Sequence, residues 1–293
     1  MALRISAALR VGGTTGTIYS RAVAGPHYEQ HDQPEGVPPL ALTGERTLPD
    51  VPEENYWFRR HLAVYSWIAA RVEGMRVLDM ACGEGYGSDT LARTAASVVG
   101  VDANPEAHEH ARLRYQRSNL RFALELVETF CEEADAVVFL QTIEHLRDPG
   151  AALERFRLLV GGTGTRSGGL GPDGPGRGTV FISTPNLLTL APKGASRSDN
   201  PWHVHEYRAD EFERLCRSCF TTVEMHGLFH ARKLRVHELA LGLGWDAMHS
   251  GLGLTKRFYD WFTPAIGASD FALRAVGEAD LDRALDFVAV CRA

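Results

Sequence analysis

Lysine is nearly absent: Lys193, Lys233 and Lys256 stand against 28 arginines among the 31 basic residues. Basic charge as a whole is in deficit, since 37 acidic residues bring the formal charge to −6. Each phosphate contact of a nucleic-acid-binding protein draws on Lys or Arg, so this balance argues against nucleic acid as a partner. Cysteine is sparse and odd in number (Cys82, Cys131, Cys216, Cys219, Cys291), which excludes a secreted disulfide scaffold. Cys216 and Cys219 have metal-pair spacing, but they lie in a helical-looking stretch with no second pair. No apolar run approaches the ~20 residues that a membrane span needs. The N-terminal stretch has no acid before Glu29, yet its apolar runs break too early for a secretory signal. A cytoplasmic protein is expected.

What remains is an ordinary globular composition, with 44% apolar and 23% charged residues over 293 positions, enough for one large domain. Residues 1–45 carry Gly and Pro without periodicity and read as a mobile leader before a domain over 46–293. From Glu54 the spacing of Trp57, Leu62, Val64, Ile68 and Val72 predicts a helix. Strands are then expected at 75–81, 97–102, 120–124, 134–141 and 179–184, alternating with helices at 88–96, 105–116 and 151–160. A sixth strand at 223–230 and a closing one at 285–292 complete the set. The fold class is α/β: a mostly parallel seven-stranded sheet with helices on both faces. Nine of the 18 residues at 161–178 are glycine, which predicts a floppy surface insertion. Residues 187–275 are expected to form a cap, helical over 233–275.

The sharpest local signal is VLDMACGEGYG, which puts Asp79, Gly83, Gly85 and Gly87 at a strand-to-helix turn. Glycines there let the backbone approach a ligand and turn tightly into the helix. The next strand ends in Asp102, placed to accept both hydroxyls of an adenosine ribose. The third glycine of a dinucleotide fingerprint is replaced by Ser88, and no Gly-Lys-Ser/Thr loop is present. The arrangement D-x-x-x-G-x-G-x-G resembles motif I of class I S-adenosylmethionine-dependent methyltransferases, whose fold is Rossmann-like. The resemblance extends over most of 43–292, through LQTIEHLRDP (140–149) and STPN (183–186). It implies S-adenosyl-L-methionine as cofactor, held by Asp79, Gly83, Gly85 and Asp102, with Gln141 at the end of the fourth strand. The Gly-Asp pair that usually follows the third strand is missing; Glu125 is the nearest acid for adenine and Glu128 its competitor.

Two polar clusters follow the fourth and fifth strands, where open parallel sheets bind ligands. Gln141, Glu144 and His145 stand at i, i+3 and i+4, so one helical turn would put them on one face. NPWHVHEY adds His203, His205 and Glu206, with His205 directed away if the segment is extended. A carboxylate and two imidazoles converging there could hold a divalent metal or supply a general base. The pairing resembles the small-RNA 3′-end ribose 2′-O-methyltransferases, whose Glu, Glu, His and His bind Mg²⁺ or Mn²⁺. On that resemblance Glu144, His145 and His203 are ligands, and Gln141 stands where the first Glu would be. A longer similarity is to actinobacterial methyltransferases acting on mannosides of methylated polysaccharides, through LTGERTLPD (42–50), ENYWFRRH (54–61), CGEGYG (82–87) and GLFH (227–230). It implies a small-molecule or oligosaccharide acceptor carrying a vicinal diol, and contacts from Tyr56, Arg59 or His61 near the cofactor. His226 and His230 flank the GLFH aromatic in either a structural or an active-site role. A homodimer is compatible with the sequence. The alternatives are a phenol or quinone-like acceptor with His145 as base, an RNA ribose, or a catalytically silent cofactor-binding subunit.

Overall fold

A computed structural model of the chain describes residues 28–43, 46–161, 178–192, 194–245 and 254–292. The described chain builds α1 (Asn55–Ala69), β1 (Arg76–Met80), α2 (Tyr86–Leu91), β2 (Ser97–Asp102), α3 (Pro105–Arg114), β3 (Leu120–Leu124) and β4 (Ala136–Leu140). There follow α4 (Pro149–Val160), β5 (Thr179–Pro185), the single turn α5 (Leu187–Leu190), α6 (Ala209–Cys219) and β6 (Thr222–His230). Two cap helices, α7 (Arg232–Gly242) and α8 (Thr255–Phe262), precede β7 (Phe271–Ala275) and β8 (Asp286–Arg292).

The eight strands form one sheet in the order β3-β2-β1-β4-β5-β8-β6-β7. β1 to β5 are parallel, and β8 pairs antiparallel with both β5 and β6. Central strands need apolar residues on both sides, and β4 (AVVFL) and β8 (DFVAVCR) are buried along all or nearly all their length. The helices that follow β2 and β4 begin in the same way. Asn104 and Asp148 cap the first turn from their side chains, each followed by a proline whose missing N–H costs nothing at that position. One apolar layer gathers Ile68, Leu91, Tyr259 and Phe262. The other gathers Phe139, Phe156, Phe212 and Phe287. The strand order reverses between β1 and β4, so the ligand crevice opens above their C-terminal ends.

Three expectations change. The seven expected strands are present, and an eighth, β7, lies within the stretch read as helical cap. Its five residues carry little pattern, and what makes them a strand is a ladder with β6, from His226 opposite Ala275 to His230 opposite Phe271. The stretch read as cap also contains α6 and β6, which belong to the central layers. Part of the leader is folded: Leu40 is buried against Leu48 and Val51 of the domain, and Glu29 bridges to Ala41. Residues 1–27 of the leader and 162–177 of the glycine-rich insertion lie outside the described residues.

Phe156 is fully buried and Leu158, two positions on in the same helix, is 55% exposed. Phe156→Ala is expected to cost about 3–5 kcal/mol and Leu158→Ala under about 0.5 kcal/mol, read by urea unfolding.

Candidate active site

Above the switch point, β1 runs into Ala81 and β4 into Gln141, each the first residue past its strand. Both adopt left-handed backbone, with φ of 58° and 51°. Non-glycine residues pay for that conformation, so the two bends that open the crevice are held by their surroundings. The Ala81 bend leads to the glycine turn. Gly85 has φ 100° and a Cβ there would meet Ala111 at 2.9 Å; at Gly87 a Cβ would meet the Tyr65 ring at 2.1 Å.

The acids around the turn divide into two kinds. Asp102, half-buried at the end of β2, accepts the Gly83 N–H at 2.7 Å through Oδ2 and the Asn104 N–H at 2.8 Å through Oδ1. A carboxylate has about four lone-pair positions, so both oxygens can still accept ribose hydroxyls. Asp79 is fully buried instead, accepting from Ser88 Oγ at 2.6 Å and Tyr65 OH at 3.1 Å. It shapes the turn from behind. Burial pushes its pKa up to about 7, against the pull of those two hydroxyls. Glu125 is half-buried directly after β3, its N–H on the Asp102 carbonyl at 3.1 Å, whereas Glu128 is exposed farther along.

The second half of the crevice holds the imidazoles. Ile143–His145 is a single 3₁₀ turn, and Glu144 on it is 1% exposed. Its Oε2 accepts from Thr184 Oγ1 at 3.2 Å, and its carbonyl holds the N–H groups of Val204 and His205 at 2.8 and 3.1 Å. That last pair fixes the loop carrying His203 against the turn carrying Glu144. Burial raises the Glu144 pKa to about 8, and the charges of Asp286 and Glu206 add to the shift. His145 Nδ1 lies 2.9 Å from the Trp202 carbonyl, an acceptor, so Nδ1 donates and the lone pair sits on Nε2. His203 is buried and its Nδ1 donates to Glu206 Oε1 at 2.7 Å, while Nε2 accepts from Asn200 Nδ2 at 2.9 Å. Ser198 in turn holds Glu206 through its N–H and its hydroxyl. The two imidazoles meet edge to face at 5.0 Å.

Glu144, His145 and His203 each offer one ligand atom, and these lie within 4.8 Å of one another. Among the described residues no other group of His, Cys, Asp and Glu does so. The donor set fits a divalent cation: one carboxylate, two imidazoles, and a carboxylate–histidine pair behind one of them.

Gln141 does not lie on the helical turn expected for it. Its left-handed backbone takes it off the helical turn, and its Nε2 and N–H both turn to Ser183 Oγ, at 3.1 and 3.2 Å. His205 is exposed and packs on Tyr207, and it is not among the clustered ligands. Glu206 orients His203. From ENYWFRRH, Tyr56 OH lies 2.8 Å from His230 Nε2, Arg59 bonds Asn55, and His61 bonds Thr47 with its pKa lowered to about 4 by burial. His226 lies edge-on to Trp67, away from the crevice. Cys216 is buried in α6 and Cys219 lies one turn along it.

Sequence reasoning passed over Arg60, whose guanidinium grips buried Asp286 through two bonds of 2.7 and 2.5 Å and pins α1 across the sheet edge. It also passed over Tyr65, Thr184 and Asn200. Only partners far apart in sequence give these residues their roles, and no local motif announces them.

A family model of the methyltransferase domain matches residues 78–164. A probable S-adenosylmethionine-dependent methyltransferase of Mycobacterium tuberculosis is 34% identical over 289 residues, covering 90% of this chain and 97% of its own. The ubiquinone biosynthesis O-methyltransferase of Xanthomonas campestris is 34% identical over 156 residues, covering 48% of this chain and 59% of its own. Among solved structures, a methyltransferase of Thermotoga maritima described as a possible histamine N-methyltransferase superposes with TM-score 0.51 at 13% identity, covering 82% of this chain and 93% of that one. Among the described residues no helix is long and apolar enough to cross a membrane.

The buried Asp79 makes stability depend on pH. Its folded pKa, about 7, exceeds the ordinary 3.8, so its contribution is fully present below about pH 4 and is lost as pH rises to about 7. Asp79→Asn should therefore gain on the wild type across that window, by up to about 4 kcal/mol at 1.36 per pKa unit, in urea unfolding of the cofactor-free protein. A difference that stays flat with pH would contradict the burial argument.

Proposed function

From the premise that the chain belongs to the S-adenosylmethionine-dependent methyltransferases, we propose that it is an O-methyltransferase acting on a hydroxyl of a sugar or glycoside, with a divalent cation held by Glu144, His145 and His203. The observation that carries this reading is the convergence of those three ligand atoms within 4.8 Å. When bound, a cation there supplies Lewis acidity, lowering the pKa of a hydroxyl and fixing two neighbouring oxygens of a diol.

The remaining chemistry belongs to the chain. Gly83, Gly85 and Asp102 hold the cofactor over the turn, with Glu125 beside the adenine and Asp79 behind. The acceptor oxygen attacks the methyl carbon in line with the departing sulfur, S-adenosylhomocysteine leaves, and the hydroxyl proton passes to a base. Trp202 O fixes how His145 presents its Nε2, and Glu206 how His203 does, with Asn200 Nδ2, which donates to His203 Nε2 at 2.9 Å, giving way to the cation. Two imidazoles with one carboxylate favour Mn²⁺ over Mg²⁺, which prefers an oxygen-rich shell. Gln141, turned to Ser183, is not needed for the cation.

The likeness to a ubiquinone biosynthesis O-methyltransferase, though over only half of the chain, supports a second reading. In it the acceptor is a phenol, His145 is the base, and no cation takes part.

Calorimetric titration into protein saturated with S-adenosylhomocysteine separates the two. Mn²⁺ should bind at least about 10-fold more tightly than Mg²⁺. Glu144→Ala and His203→Ala should abolish binding, and Gln141→Ala should leave it within about twofold. Absence of cation binding, with cofactor affinity intact, would favour the phenol.

A further inference from the structure

Glu84 stands in the middle of the glycine turn, between Gly83 and Gly85, yet its side chain is 1% exposed. Its Oε1 accepts from Gln30 Nε2 at 3.0 Å and His110 Nε2 at 2.9 Å, with Arg114 at 3.2 Å. Its Oε2 accepts from Tyr115 OH at 2.8 Å and from the Tyr86 N–H of its own turn at 3.1 Å. Both carboxylate oxygens are thus engaged by residues packed around the turn.

Those donors lead to the segment that precedes α1. Gln30 also donates to Pro49 O and accepts the Leu40 N–H, so one side chain ties both ends of residues 28–43 and 46–51 to the turn. On its other side His110 Nδ1 lies 2.7 Å from Pro38 O, so the imidazole spans the distance from the turn to the segment. Arg114 reaches Gln33 and Asp50, and Thr47 bonds the Tyr86 hydroxyl at 2.8 Å. Leu40, Leu48 and Val51 close a small core beneath these bonds.

We propose that residues 28–43 and 46–51 form a clasp, anchored on Glu84, that holds the glycine turn in its cofactor-binding shape. Glu84 is then a positioning residue for S-adenosylmethionine, acting without touching it. The turn needs such a device because Gly83 and Gly85 both lie in the left-handed region, where glycine backbone is soft and ordering it opposes binding. By linkage, the cofactor must stabilise the clasp as much as the clasp favours the cofactor. The inference rests on the cofactor alone and not on the acceptor.

Two readouts test it. In calorimetric titration of S-adenosylhomocysteine, Glu84→Gln and Leu48→Ala should each weaken binding at least about 10-fold, while Phe156→Ala, in the layer beside α6, should lower the melting temperature and leave affinity unchanged. In limited trypsinolysis, saturating S-adenosylhomocysteine should slow cleavage after Arg46 by about 10-fold in the wild type, and the protection should shrink in Leu48→Ala. If Glu84→Gln does not fold, Leu48→Ala, which leaves the turn untouched, decides the matter. Unchanged affinity in the clasp variants, or cleavage indifferent to the ligand, would overturn the proposal.

Discussion

The fully buried carboxylate of Asp79 is the constraint on which the crevice depends. It sits on a central strand, where an unpaired charge would be costly, and it draws in the hydroxyl of Ser88 from α2 and that of Tyr65 from α1. Strand, turn and two helices are thereby referred to one pair of oxygen atoms. Gly87 follows from this, since the Tyr65 ring that reaches Asp79 occupies the space of a Cβ there. With the turn fixed from behind by Asp79 and from the side by Glu84, the Gly83 N–H meets Asp102, and the two strands present one ligand edge.

The imidazole half of the crevice is built by a different device. His145 follows β4 directly, but His203 arrives on a long connection after β5. The Glu144 carbonyl fastens that connection by accepting two of its N–H groups, so the residue that contributes a carboxylate to the cluster also places its second imidazole. Behind His203, Glu206 and Ser198 complete a hydrogen-bonded chain that sets the tautomer. The Arg60–Asp286 pair pins α1 over the same edge, close enough for Asp286 to raise the Glu144 pKa. Breaking such a buried pair by removing one partner costs about 3–5 kcal/mol, which makes it a firm support for the crevice wall.

The parts of this design written in local pattern were legible in the sequence. Strongly apolar strands, the glycine turn, Asp102 at a strand end, and Glu144, His145 and His203 all announce themselves by spacing and type. The parts that depend on partners from elsewhere were not. FALRA becomes β7 only because β6 offers it an edge, and the clasp has too few apolar residues, too irregularly placed, to show a period. Gln141 looked like a member of a helical face, but the chain bends left-handed there and Ser183, 42 residues on, takes its amide. Glu84 passed as a spacer between glycines because four of its five partners come from two other segments of the chain.

The most direct measurement is an anomalous difference map at the manganese edge from crystals grown with S-adenosylhomocysteine and Mn²⁺. A peak bounded by Glu144 Oε, His145 Nε2 and His203 Nε2, with Gln141 still on Ser183, is the predicted result. An ordered cofactor with no peak among those three side chains would contradict the account.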